Sequence, residues 1–413
     1  MAVLIIGAGI AGLTAALSLH QIGVEARVFE SVETIEPLGV GINTLPHAVR
    51  ELTELGLADR LAETAIPTAE LAYYSKQGKL IWTEPRGRAA GYNWPQFSIH
   101  RGTLQMLLLQ AARDRLGADH IITGHPLVGW EDTGDTIRAS FIDRRSGEKV
   151  AAQGELLLAA DGIHSTVRGT LYPDEGPPVW KGAILWRGVT RGPKFLTGRT
   201  MAMIGHEHQK FVCYPISNTG PVVNWIAELK FQSDYQWRRE DWNRRGNFAD
   251  FLPLFEGWRF DWLDIPALVG GSDRCYEYPM VDRDPLERWT FGRATLLGDA
   301  AHPMYPIGSN GASQAILDAR VLTREIRTHG LTEAALHAYE AERRLATSNI
   351  VLANRGNGPD QVMQLVEERA PHGFTRIEDI LTTAELEDVA AGYKRVAGFD
   401  KDSLNRRASI VAI

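Results

Sequence analysis

Val3-Leu4-Ile5-Ile6-Gly7-Ala8-Gly9-Ile10-Ala11-Gly12 opens the chain. Four consecutive apolar residues make the continuous hydrophobic run expected of a parallel strand buried on both faces. Glycines follow at once, and Leu13 to Gln21 reads as a helix, with Leu13, Ala16, Leu17 and His20 on neighbouring positions. In this strand–turn–helix context Gly7 permits the tight turn and Gly9 lets backbone approach a pyrophosphate. Gly12 lets helix and strand pack closely, with Ala11 completing the cradle. The helix start then offers free backbone N–H groups to phosphate. A second strand, Ala26-Arg27-Val28-Phe29-Glu30, ends in an acid eighteen residues beyond Gly12. Glu30 is expected to accept hydrogen bonds from the two ribose hydroxyls of an adenosine.

A segment near the other end asks for the same ligand. Thr295-Leu296-Leu297 reads as a strand and runs into Gly298-Asp299-Ala300-Ala301-His302-Pro303, with Pro306-Ile307-Gly308-Ser309-Asn310-Gly311 behind it. Asp299 stands at the strand end, ahead of a turn and a long helix, and can aim a carboxylate at a sugar hydroxyl. One extended dinucleotide held by both segments is implied, and noncovalent FAD fits that description.

The whole chain has 413 residues, 44% hydrophobic, with a formal net charge of -7. That length predicts one large domain with an insertion, or two domains. The acidic balance offers no general attraction for nucleic acid or anionic lipid. Arg238-Arg239 and Arg244-Arg245 alternate with acids and read as solvated faces. No run approaches the roughly 18 apolar residues of a spanning helix, and the opening stretch lacks the basic flank of an export signal. Cys213 and Cys275 are the two cysteines and have no metal-like spacing, so neither a metal site nor a disulfide scaffold is expected. The expected setting is cytoplasmic.

The fold class predicted is α/β: a Rossmann-like βαβ domain, an inserted antiparallel-sheet region and a C-terminal helical region. Residues 1–70, 99–177 and 286–350 form the discontinuous cofactor domain. Residues 71–98 and 178–285 form the substrate region, and 351–413 a helical cap. Helices are expected near Pro46–Leu55, Arg101–Leu116, Gly311–His329 and Glu333–Asn354. Strands are expected near 183–190, 200–205, 210–216 and 222–231. The inserted region is rich in aromatics, including Trp180, Trp186, Trp225, Trp237, Trp242, Trp258 and Trp262.

The opening glycine motif, Asp161-Gly162 with Ser165 and Arg168, and Gly298-Asp299 with His302-Pro303 occur in the order that resembles the single-component class A FAD-dependent aromatic hydroxylases, the para-hydroxybenzoate hydroxylase-like family. Within that family, four segments are similar to members acting on 5-methylphenazine-1-carboxylate and to salicylate hydroxylase-like relatives. They are Pro37–Asn43, Tyr92–Gly102, Trp186-Arg187-Gly188-Val189 and Tyr278–Pro285.

The resemblance implies a cycle in which NADH or NADPH reduces FAD and O2 then forms a C4a-hydroperoxyflavin. Its terminal hydroxyl passes to an aromatic or heteroaromatic acid, with or without decarboxylation. Asp299 is assigned the ribityl side, Arg101 the phosphate–ribityl region, and Asp161 the surroundings of the cofactor. Arg168 is expected either to pair with Asp161 or to help receive the nicotinamide. Backbone N–H groups at Gly308, Asn310 and Gly311 are expected beside the flavin. Gly41, Ile42, Pro306 and Gly308 are assigned to the reacting face, and Trp186, Tyr214, Trp225 and Pro306 to the substrate slot. Rival classes are a flavin-dependent halogenase, an FAD-dependent reductase and a noncatalytic flavin-bearing redox sensor. The oligomeric state expected is monomer or homodimer.

Overall fold

The computed structural model describes residues 2–192, 194–231, 244–356 and 358–412. Trp237, Trp242 and Arg238-Arg239 lie outside the described residues.

The opening strand is Val3–Ile6, and every residue in it is at most 4% exposed. It occupies an inner position of a six-stranded sheet ordered Thr290–Phe291, Ala294–Leu296, Leu157–Ala159, Val3–Ile6, Ala26–Phe29, Ile121–Ile122. All neighbours are parallel except the first pair. The register aligns Ile6 with both Ala159 and Phe29, and Ala159 with Leu296. Four strands therefore end at one level, and the residues that follow them share one edge: Gly7, Glu30, Asp161 and Gly298-Asp299. Open parallel sheets bind ligands beyond the carboxyl ends of their strands. The helix after the first strand runs Ile10–Gln21, three residues earlier than its apolar spacing suggested, because Gly9 occupies the N-cap. It packs against the long Gly311–His329 helix.

A seven-stranded sheet stands opposite this edge, ordered Cys275–Asp282, Val179–Arg191, Val222–Lys230, Gln209–Pro215, Thr200–His206, Glu70–Tyr74, Leu80–Pro85. It is antiparallel except where Thr200–His206 meets Glu70–Tyr74. Side chains alternate across a strand, and here both faces are covered. One face carries Ile184, Trp186, Cys213 and Trp225 against Phe251, Phe255 and Trp258. The other carries Met203, Val212 and Tyr214 against Val362, Met363, Val366 and Leu386 from the C-terminal helices, while Leu185, Tyr278 and Met280 on it meet Tyr305 and Ile307. A small sheet of Gly41–Thr44, Gln96–His100 and Ile66–Thr68 is built from the chain segments on either side of the hairpin Glu70–Tyr74 and Leu80–Pro85.

The C-terminal helices are Gln361–Arg369, Thr383–Val396 and Lys401–Arg406, the last not singled out by the sequence pattern. Thr382 and Glu385 close a capping box at the start of the second, which fixes its entry. Among the described residues no helix is long and apolar enough to cross a membrane.

Candidate active site

At the shared edge the three glycines of the opening motif do different things. A Cβ on Gly12 would stand 2.0 Å from the Gly7 carbonyl oxygen, and one on Gly7, at φ +102°, would stand 2.5 Å from that of Ala160. Both positions are closed by protein. A Cβ on Gly9 would meet nothing within 4 Å among the described residues, so its outer side is open. Gly298 packs on Ala11, with 2.9 Å between the Ala11 methyl and a Cβ built on it. The two distant motifs are thus in contact. Glu30 accepts from the Ala8 amide at 2.9 Å and the Val32 amide at 3.0 Å. Two oxygens with four lone-pair sites leave it capacity for further donors.

Asp161 accepts from the Thr166 amide at 2.8 Å, and Ser165 caps the same helix start by accepting from the Arg168 amide. Arg168 neither pairs with Asp161 nor faces open space. It is 1% exposed, paired with Glu175, and donates to the carbonyls of Ala300 and Ala301 at 3.0 and 2.9 Å. Its role corrects the expectation: it fastens the middle motif to the turn that carries Asp299.

Asp299 itself is exposed between the buried Gly298 and Ala300. Burial of its surroundings raises the carboxyl pKa, while His302 and Arg101 lower it. Arg101 is also accessible yet flanked by protein. Burial lowers its pKa, and Asp299 opposes that shift. An accessible acid and an accessible guanidinium in one cleft are suited to polar groups of a bound molecule. His302 is occupied elsewhere: its Nε2 lies 2.5 Å from Asp318, which also accepts from Arg343 at 2.7 Å and from the Gly298 amide at 3.2 Å.

The Gly41 loop is clamped by the seven-stranded sheet. Its amide donates to Asn224 Oδ1 at 2.7 Å, and its carbonyl accepts from Tyr214 Oη and from Arg187, each at 2.8 Å. A Cβ on Gly41 would be 2.6 Å from that of Asn224. Ile42 pairs with Ile99 and is half-buried. Arg187 Nε and Asn224 Nδ2 are buried donors with no partner among the described residues. Such groups are costly unless something satisfies them.

Two substrate-slot assignments are corrected. Trp186 stacks on Phe251 at 5.1 Å, and Trp225 donates through Nε1 to Thr190 at 3.0 Å. Both point to the face away from the Gly41 loop and are core residues. Tyr214 faces the loop, but its hydroxyl is engaged by the Gly41 carbonyl. Pro306 is exposed, and Gly308 has φ +68°. The Asn310 side chain is engaged by protein. It is fully buried and donates to Tyr393 Oη at 2.8 Å, which leaves only its backbone for a ligand. The helix behind it begins at Gly311 with no side-chain cap, so its first N–H groups are available. Arg187, Asn224 and Tyr393 were missed by sequence reasoning. Arg187 stood in a quoted segment, and strand parity separates it from Trp186.

These features fit FAD: two glycines closed for packing, one open, uncapped helix starts, and an accessible acid and base facing one cleft. Residues 1–353 match the FAD binding domain family. The chain belongs to that family and is a class A FAD-dependent aromatic hydroxylase. It is 47% identical over 402 residues to the phenazine 1,6-dicarboxylic acid hydroxylase PhzS of Lysobacter antibioticus, covering 95% of this chain and 96% of that one. It is 30% identical over 388 residues to a 3-amino-4-hydroxybenzoate 2-monooxygenase of Streptomyces platensis, covering 91% and 93%. Among solved structures, a salicylate hydroxylase substrate complex superposes with a TM-score of 0.75 at 22% identity, covering 98% and 97%. Klebsiella pneumoniae HpxO with FAD and uric acid gives 0.74 at 23%, covering 98% and 96%. The last two show the fold.

Proposed function

We propose that the enzyme hydroxylates a planar fused heteroaromatic acid of the phenazine carboxylate class, using NADH or NADPH and O2. The observation that carries this reading is the 47% identity to a phenazine hydroxylase, sustained over 95% of the chain. The site supports it. Leu185, Tyr278 and Met280 pack with Tyr305 and Ile307 as one apolar cluster behind the exposed Pro306, and apolar surroundings grip a flat ring while a few polar groups orient it. FAD supplies the redox and oxygen-transfer chemistry. In this reading residues 1–70, 99–177 and 286–350 hold the cofactor, 71–98 and 178–285 the substrate, and 351–413 cap both. A cytoplasmic setting follows from the use of a nicotinamide reductant.

Gly7, Gly9, Ala11, Gly12 and Glu30 hold the adenosine diphosphate half. Arg101 and Asp299 hold the ribityl region, and Asp161 shapes the turn beside them. The amides of Gly308, Asn310 and Gly311 face the flavin ring. Arg187 and Tyr214 keep the Gly41–Ile42 edge against the ring, and Pro306 meets the substrate. Covering the ring on both sides excludes water from the reacting face.

The reading is tested by NAD(P)H oxidation with phenazine 1,6-dicarboxylic acid and a panel of hydroxybenzoates under labelled O2. One labelled oxygen atom in a phenazine product is the expected result, and product mass reports whether CO2 is lost. Turnover of hydroxybenzoates alone would overturn the substrate class. Asp299→Ala is expected to weaken FAD binding about 10- to 100-fold, the worth of a hydrogen bond to a charged group, measured by fluorescence titration of the apoenzyme. Parental affinity in that variant would remove Asp299 from the cofactor site.

A further inference from the structure

The segment from Pro306 to Gly311 is held from outside by one hydroxyl. Tyr393, on the Thr383–Val396 helix, is 7% exposed and lies 83 residues from its partner Asn310. Its oxygen accepts from Asn310 Nδ2 at 2.8 Å. Its proton has two acceptors, Asn354 Oδ1 at 2.8 Å and the Ile307 carbonyl at 3.2 Å. Asn354 in turn donates to the Tyr305 carbonyl at 3.0 Å. The frame therefore runs from Tyr305 through Asn354 and Tyr393 to Asn310, and touches both ends of the segment.

Within the segment the backbone is forced. Gly308 has φ +68°, and a Cβ there would lie 2.0 Å from Tyr393 Oη. Ser309, which has a side chain, is also left-handed at φ +59°. Such a conformation persists only where its surroundings determine it. Here the residues on either side, Gly308 and Asn310, both abut the same phenol. A phenylalanine at 393 would fill the space equally well and make none of these hydrogen bonds. The polar function is thus separable from packing.

We infer that Tyr393 is a positioning residue for the reaction: its hydroxyl sets the distance between the 306–311 segment and the flavin. This rests on the proposed placement of that segment beside the cofactor. The amides that begin the Gly311–His329 helix then face the flavin ring, where helix N-termini favour negative charge. Loss of the hydroxyl lets the segment relax away, and the reduced, anionic ring loses stabilisation relative to the oxidised one.

The test uses holoenzyme and needs no substrate. Tyr393→Phe is expected to keep FAD but to lower the flavin midpoint potential by about 30 mV, a tenfold change in relative affinity for the two redox states of a two-electron couple. Leu386→Ala, which thins the contact between the same helix and the seven-stranded sheet, should lower Tm while leaving the potential at the parental value. Asn354→Leu removes the nearer acceptor of the Tyr393 proton and the donor to the Tyr305 carbonyl, and should shift the potential in the same direction; it serves if Tyr393→Phe does not fold. A parental potential in the folded variant would overturn the inference, as would an equal shift in Leu386→Ala. Gly311→Val separates this from the underlying reading, because a Cβ at that position stands 4.0 Å from Asp299 Oδ1, in the cleft. If Gly311→Val binds FAD as the parent does, the segment is not at the cofactor and both fail. If it loses FAD while Tyr393→Phe is unshifted, only the Tyr393 role fails.

Discussion

Gly9→Ala is expected to fold as the parent does and to lose FAD, whereas Gly12→Ala loses both fold and cofactor. The two glycines are three residues apart and chemically identical, so the contrast isolates geometry. At Gly12 an added methyl lands 2.0 Å from a backbone oxygen and 3.2 Å from an Ile5 side-chain carbon. Neither strand nor helix can give way without separating, and overpacking of this kind costs about 3 kcal/mol or more. At Gly9 the methyl meets no atom of the described residues within 4 Å. Its collision is with the pyrophosphate alone, and the expected loss of affinity is about 100-fold, the scale of one or two charge-assisted hydrogen bonds. Thermal unfolding of the apoproteins and FAD titration check both halves. A Gly9→Ala protein with parental affinity would place the phosphates elsewhere.

The second large effect lies at the interface with the C-terminal helices. Lys210 is 5% exposed, with Nζ 2.7 Å from Asp360 and 3.1 Å from Glu228. Lys210→Met leaves two buried carboxylates without their cation, a change that costs about 3–5 kcal/mol. The loss should depend on pH. Burial raises the Glu228 pKa, and Lys210 is the first of the groups that lower it. Without Lys210 the folded-state value rises further above that of the unfolded chain. A raised carboxyl pKa contributes stability that is complete below the unfolded value, about 4.3, and is lost as pH rises through the folded value. The deficit of Lys210→Met relative to the parent should therefore grow between about pH 5 and about pH 8. Urea midpoints at the two pH values measure it. A deficit that shrinks with pH would contradict this account, and Lys210→Met/Asp360→Asn should recover part of the loss.

The cofactor edge was legible in the sequence because its signals are local. A continuous apolar run, a glycine turn and a terminal acid each occupy a few residues, and a parallel sheet brings like ends together. Helix Arg101–Leu116 agrees at both ends for the same reason. The seven-stranded sheet was harder to read. Both its faces are buried, so Trp186 and Arg187 carry no alternation of polar and apolar residues to say which side faces the Gly41 loop. Size suggested the tryptophans, but the structure uses their large surfaces under the 248–270 segment and gives the loop the arginine. The hairpin of Glu70–Tyr74 and Leu80–Pro85 was not singled out, since its place in the sheet depends on a parallel partner at Thr200–His206. The engagement of the Asn310 side chain was not legible for a related reason: its partner phenol, Tyr393, belongs to a distant helix.

The alignment of Ile6, Phe29, Ala159 and Leu296 at one level also orders events during synthesis. The strand Ala294–Leu296 and the Asp299 turn leave the ribosome after more than two thirds of the chain. Until then the nascent protein can form the opening strand–turn–helix but not the opposite wall of the cleft. The Gly298–Ala11 contact is missing, and the face of Leu157–Ala159 that pairs with Ala294–Leu296 is an open sheet edge. Such edges invite pairing with other chains, and contacts so far apart in sequence form slowly. Capture of FAD is therefore expected to be a late step in maturation, with the chain most exposed to aggregation in the interval before it.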